Sequence, residues 1–514
     1  MSGEDKAPTP KRVVVQVNPG RPRLGIDLTL CPKSVLPDAC NQRTEFTARI
    51  YALKGGKWVY PGEKRKITFS FTKVSKERGV CMNYPIKKRD NISPASAIES
   101  NTNPDLFFPE DDDKMKDFDF DDDETDADAN KKCPTEILVA NDNPAHSHHY
   151  KKATTKKAVT EAKVLVRCED YGAFGILKAE ADDCEILKHR ERDAGCQGLG
   201  KKEEDKEVRI PRDDNRNNIA DSAAQDKNKD GTKALPDKDE DDVPHSTNHK
   251  GDGLTNYEEY RGFIVKEGNV KKHKRTDINN KDIFIHDVND LKTGNFSASG
   301  LTVHRIPGPE FYNGDSNHDD EKAPEPVDRQ IINFNRTSHS GGDQHGLRLK
   351  DKALRPFTLG LTCAPLGAGT WPTYPKYCNL VTVDRTKHLT MVAGRLAKTI
   401  THELGHAVHI VHHGEADICP DCFARTHQNY CRAGSQTSGD VSCVMRYGPN
   451  YSDKWCHDHG GACHTHNVPN PEDVATQFCD SSTGTECNVG GHPCNFNNNA
   501  TVGNCKGQII VKDP

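Results

Sequence analysis

The chain has 514 residues, room for about three domains, yet only 33% of them are hydrophobic and 29% are charged, so part of the length must lie outside packed cores. A net charge of −6 is mild for this size and argues neither for nucleic acid nor for a membrane surface as partner. No run of about 20 apolar residues occurs, so no transmembrane segment is expected.

Residues 1–12 lack the apolar core of a secretory signal and read as a disordered tail. Residues 13–210 carry the alternation of short strands. Arg12–Val17, Glu45–Tyr51 and Lys66–Phe71 are separated by turn clusters at Lys54–Gly56 and Tyr60–Gly62, and a second group follows at Ala162–Cys168 and Gly172–Lys178. Together they resemble an immunoglobulin-like β-sandwich of the kind appended to secreted bacterial proteins, which implies an all-β N-terminal domain. Residues 86–132 interrupt the pattern. Between Glu110 and Asp128 aspartate dominates, and such a block is expected to repel itself and stay disordered.

Residues 211–262 form a polar linker with three loop-like stretches, Asp213–Asp221, Asp226–Gly231 and Gly251–Glu259. Oxygen side chains at alternate positions, a glycine for the sharp turn and a late acid are what a hard cation with six or more oxygen ligands requires. In the middle loop Asp226, Asn228 and Asp230 are correctly spaced, with Asp237 in the closing position. The last loop has Asp252, Gly253 and Glu259 in place, but Asn248 and Lys250 occupy its earlier ligand positions, and Lys250 cannot ligate. The stretches resemble thrombospondin-type or dockerin-like calcium repeats, partly degenerate. That likeness implies Ca2+ at Asp226, Asn228, Asp230, Asp237, Asp252 and Glu259; a turn-rich polar linker without ions is the alternative.

From residue 275 to 450 strands and helix mix. Lys281–Asp287 is a candidate opening strand, followed by strands at Arg329–Phe334 and Leu380–Val383, and Leu389–Thr401 reads as a proline-free amphipathic helix. That helix runs into His402-Glu403-Leu404-Gly405-His406. Residues four apart on a helix lie on one face, roughly 6 Å apart along the axis, so His402 and His406 can point two imidazoles at one ion with Glu403 beside them. His412 would lie roughly 15 Å from His402 if the helix continued, so the chain must break after His406 and fold back. Three protein ligands and one open position is the catalytic arrangement of zinc. His413 and Glu415 are rival third donors, while His409 would lie about 10 Å up the axis from His402, too far to share its ion.

Ser442–Tyr447 follows, with Met445 in a tight segment able to floor a metal site. These features resemble the metzincin zinc endopeptidases, whose motif is H-E-x-x-H-x-x-G-x-x-H followed by a Met-turn. The resemblance implies an α+β catalytic domain with an irregular lower half, and a zinc ion on His402, His406 and His412. It further implies Glu403 as general base for a zinc-activated water, Met445 beneath the site, and Tyr447 near the zinc or the transition state. The motif glycine is replaced by His409 here, so the turn toward the third ligand is strained or made with different dihedrals.

Residues 451–514 have little periodicity and many cysteines, and disulfides rather than a core are expected to hold them. Twelve of the 19 cysteines lie between Cys363 and Cys505, a density typical of oxidised extracellular domains. Sequons at Asn91, Asn295, Asn335, Asn450 and Asn499 permit export. The expectation is an extracellular or cell-surface zinc endopeptidase acting on protein or peptide substrates, exported by a signal missing from this sequence or by another route. The alternatives are a catalytically inactive surface binding or adhesion protein with a protease-like domain, and a zinc hydrolase of non-peptide amides. Cys168, Cys184 or Cys196 could block the zinc in a latent form.

Overall fold

The computed structural model describes residues 23–29, 37, 43–84, 104–109, 113–120, 150–187, 208–213, 215–223, 237–239, 242–245, 250–311, 331–336, 344, 346–356, 358–362, 380–391, 394–410, 413–414, 443–447, 477–478 and 505–511. Several sheets dominate it, and among the described residues no helix is long and apolar enough to cross a membrane.

Two sheets enclose the N-terminal core. The first holds β1 (Leu24–Thr29), β2 (Arg43–Lys54), β3 (Lys57–Val59), β5 (Leu106–Phe107), β8 (Glu161–Cys168) and β10 (Cys184–Ile186), in the order β10-β1-β2-β8-β5 with β3 on β2. The second holds β4 (Ile67–Thr72), β6 (Phe118–Phe120), β7 (Lys152–Thr155), β9 (Gly175–Ala181) and β11 (Val208–Ile210), in the order β11-β9-β4-β7-β6. Every second residue of β4 is buried, and Phe46 and Ile50 of one sheet share a core with Phe69 and Phe71 of the other. Alternation with a period of two places one face of each strand inside. The expected strands at residues 45–51 and 162–168 fall within β2 and β8, those at 66–71 and 172–178 overlap β4 and β9, and the one at 12–17 lies outside the described residues.

The acidic insertion departs from expectation. β5 pairs with β8 and β6 with β7, and Met115 and Phe118 sit in the sandwich core. Leu106, Phe107, Phe108, Met115 and Phe118 supply enough apolar surface to dock the segment, despite the aspartates between them.

The expected linker is instead a packed junction. Thr255 and Glu258 form a capping box that starts α1 (Asn256–Arg261), and all six residues of this helix are buried. Its Arg261 guanidinium, fully enclosed, donates from Nε and Nη2 to Asp170 at the end of the sandwich, with Nη2–Oδ2 at 2.6 Å. It also donates to the carbonyls of Arg78 and Asn335. Tyr257 Oη reaches the Gly172 carbonyl at 2.9 Å. A hairpin of β12 (Phe263–Glu267) and β13 (Val270–Lys274) follows.

The last large sheet is built from β14 (Asp282–Asp287), β15 (Thr302–Arg305), β16 (Leu347–Asp351), β17 (Gly360–Thr362) and β18 (Leu380–Val383), in the order β15-β14-β16-β18-β17. The first four run parallel, and β17 lies antiparallel to β18 at the edge. Short helices α2 (Gly308–Phe311) and α3 (Arg385–His388) precede α4 (Arg395–Ala407). The expected strand at 329–334 is irregular over its described residues. Asn333 and Asn335 turn inward there, onto Glu258 and onto the carbonyls of Cys81 and Tyr84. That burial also removes Asn335 as a glycan acceptor in the folded chain.

Ile283, Ile285, Leu349, Val381 and Val383 of this sheet share a core with Ile400, Leu404 and Ala407 of α4. Phe478, Cys505 and Ile509 join the same core. The described parts of the cysteine-rich extension are therefore held by hydrophobic burial beneath α4, a role the sequence assigned to disulfides alone.

Candidate metal centre

Helix α4 begins at Arg395, after Gly394 at φ 92°, six residues later than its sequence pattern suggests. Ile400, Leu404 and Ala407 face the core, which leaves His402 and His406 half-buried on another face with ring centroids 4.7 Å apart. His402 Nδ1 lies 2.8 Å from the Val444 carbonyl, and His406 Nδ1 lies 2.8 Å from the Ile410 carbonyl. A carbonyl only accepts, so both Nδ1 atoms carry the proton and Nε2 carries the lone pair in the neutral rings. Burial, and then the charge of His402, push the pKa of His406 well down, which keeps that ring neutral. Neutral imidazoles with anchored Nδ1 atoms are the donors a zinc site needs, and the fit to zinc rests on them.

The helix ends in a turn that also serves the site. Ile410 N donates to the Gly405 carbonyl and His409 N to the His406 carbonyl, both at 3.0 Å. His409 sits between them at φ 70°. This is a Schellman closure with histidine where glycine is usual. The turn is thus made in the left-handed region, with the strain the sequence suggested. It brings the Ile410 carbonyl back onto His406, so one local structure both stops the helix and orients a candidate ligand.

Glu403 packs against the edge strand. Thr362 Oγ1 donates to Glu403 Oε2 at 2.7 Å and also lies 2.7 Å from its main-chain carbonyl. A Cβ at Gly360 would stand 2.5 Å from Glu403 Cγ, so only glycine lets β17 come this close. Among the described residues no strand covers the outer edge of β17. Thr362 and Gly360 were not visible as site residues in the sequence. Only their contact with a carboxylate far along the chain reveals them.

Met445 is fully buried, and its Sδ would stand 2.6 Å from a Cβ at Gly405, so the methionine packs under the helix between the two histidines. Beyond the turn, the two-residue strands β19 (His413–Gly414) and β20 (Arg446–Tyr447) pair in parallel. The chain has therefore folded back beside the methionine segment, as the third-ligand argument requires. His412, Glu415 and Cys196 lie outside the described residues, and only the backbone of His413 and Tyr447 is described. Cys168 and Cys184 belong to the sandwich strands β8 and β10, the former packed in its core with Sγ 2.9 Å from the Asp170 carbonyl. Cys443 and Cys505 face each other in the core below α4 with sulfurs 3.6 Å apart.

Of the residues expected to hold calcium, Asp252 and Glu259 come together, joined by Asp239, Asp242 and Asp282, which the sequence did not single out. Asp237 is exposed and outside this group, and Asp226, Asn228 and Asp230 lie outside the described residues. In the first loop, the side-chain oxygens of Asp213, Asn215 and Asn217 accept from the loop's own amides.

No family model and no curated protein matches this chain. Among solved structures, the human F-spondin reeler domain is similar at 14% identity, covering 32% of this chain and 76% of that chain, with a TM-score of 0.11. A likeness at that score carries no argument.

Proposed function

We propose that the chain is a zinc-dependent endopeptidase of metzincin type, with His402 and His406 as two zinc ligands, His412 as the third and Glu403 as general base. The observation that carries this reading is the pair of imidazoles one helical turn apart, each with Nδ1 committed to a main-chain carbonyl. When bound, zinc supplies Lewis acidity and brings the pKa of a water to about 7. Glu403, held by Thr362, would take a proton from a water at this site and pass it to the departing amine. The edge of β17 beside Glu403, which no strand covers among the described residues, can take an extended peptide as an added strand, its main-chain groups supplying the hydrogen bonds. Met445 keeps the helix seated from below.

The test pairs metal content with cleavage of a denatured protein. Wild type is expected to carry about one zinc per chain, as a single three-ligand site requires, and to cut; Glu403→Ala should keep the zinc and lose roughly 10²–10⁴-fold in rate. Equal cutting by both proteins, or activity without zinc, would end the proposal. An inactive binding protein would cut in neither form. Export to an oxidising compartment belongs to the same reading, supported by the cysteine density and by the facing sulfurs of Cys443 and Cys505. Protein purified without reductant should yield a peptide cross-linked between these two, and full alkylation of both thiols would argue against that destination.

A further inference from the structure

The loop entering α1 keeps a glycine, Gly253, and a closing acid, Glu259, at cation-loop spacing but lacks its first two ligands. The fold supplies replacements from other segments. Asp252, Glu259 and Asp282 each offer an oxygen within 4.8 Å of the others, and Asp239, Asp242 and Asp252 do the same. Two oxygens on opposite sides of a calcium sphere stand about 4.8 Å apart, because each Ca–O bond is about 2.4 Å. The two triads meet at Asp252.

A second observation points to a ligand. Glu259 Oε1 and Asp282 Oδ2 are buried and have no hydrogen-bond partner, in residues only 2% and 0% exposed. Carboxylate oxygens left this way are unfavourable unless a cation answers them. The other Asp282 oxygen, Oδ1, is held at 2.6 Å by His304 Nε2, which fixes the carboxylate and directs Oδ2 elsewhere. Asp239 accepts from the amides of Asp252 and Gly253, tying the loop down. Burial, followed by the neighbouring carboxylates, pushes Asp252 and Glu259 well above the usual range, as expected of acids crowded together without their counter-ion.

We propose that Asp252, Glu259 and Asp282, with Asp239 and Asp242 on the Asp252 side, bind calcium. A cage of protein oxygens, most of them buried, suits Ca2+, whereas Mg2+ keeps several of its waters. The ion joins three pieces of chain: the segment before the loop, α1 with its Arg261 contact to the sandwich, and Asp282 at the start of β14. Calcium is thus a staple between the N-terminal half and the sheet that carries the histidine helix.

The experiment uses the full chain stripped of divalent ions and melted with CaCl2, with MgCl2 and without either. Saturating Ca2+ is expected to raise the Tm by about 5 °C or more, and Mg2+ by much less. Glu259→Gln and Asp282→Asn should lose the calcium response, and without calcium Glu259→Gln should melt no lower than wild type, since one buried charge has gone. Glu403→Ala should keep the full response, which separates this site from the zinc proposal. A wild type indifferent to Ca2+, or a response surviving in both variants, overturns the inference. Should the variants fail to fold, equilibrium dialysis of wild type with radioactive calcium decides, and absence of saturable binding overturns it equally.

Discussion

Helices α1 and α4 each carry side chains suited to metals, yet they are built in opposite ways. All six residues of α1 are buried, and its arginine and tyrosine are bonded into the sandwich. In α4 one face is buried while His402 and His406 stay half-open, anchored through Nδ1. An enclosed carboxylate cluster can exchange little with solvent and suits a structural role. Imidazoles with an open side leave room for a substrate. Substitutions around α1 should therefore cost stability, and those around α4 should cost turnover.

The strongest way to break this contrast is Arg261→Ala. Removing one partner of a buried ion pair leaves Asp170 charged and enclosed, and should cost about 3–5 kcal/mol in urea unfolding. A loss below about 1 kcal/mol, within the range of ordinary surface pairs, would mean that the junction is not cemented as described. A smaller effect is expected from Thr362→Val, which deletes the hydroxyl bonded to Glu403. About tenfold should go from kcat/KM, equivalent to one hydrogen bond of about 1.4 kcal/mol, with melting nearly unchanged. If the fold suffers and the rate does not, Thr362 belongs to the scaffold alone. An effect of similar size, on stability, tests the α4 turn. His409→Val should lower stability by about 1–2 kcal/mol, because a β-branched residue tolerates φ 70° poorly. His409→Gly should raise it by less than about 1 kcal/mol, strain relief being offset by the freer unfolded chain. The reverse order, read by thermal unfolding, would show that the turn is unstrained.

How much was legible follows from how local each signal is. Strands β2, β4 and β8 were readable because a period-two pattern needs only its own residues. Strands β15 and β16 were missed, since Thr302–Arg305 and Leu347–Asp351 are short and mix charge with few apolar positions. The acidic insertion was misread because its composition hid five apolar residues that the sandwich needed. The nearness of His402 and His406 was visible because helical spacing encodes it, and the awkward turn at His409 was visible because a glycine is usual there. Thr362, Asp239, Asp242 and Asp282 were not, because only the folded chain brings them to their partners. Asp282 left one trace, an acid opening an otherwise apolar buried strand.

The amide of Ile510 donates to the carbonyl of Val408, just where the histidine helix ends, while Phe478 and Ile509 pack below it. On the ribosome the two histidines therefore emerge long before the segment that seals their floor. Until residues 505–511 arrive, the Val408 carbonyl lacks the Ile510 amide and one part of that core is incomplete. The seat of the histidine helix thus draws on residues about a hundred positions further along the chain.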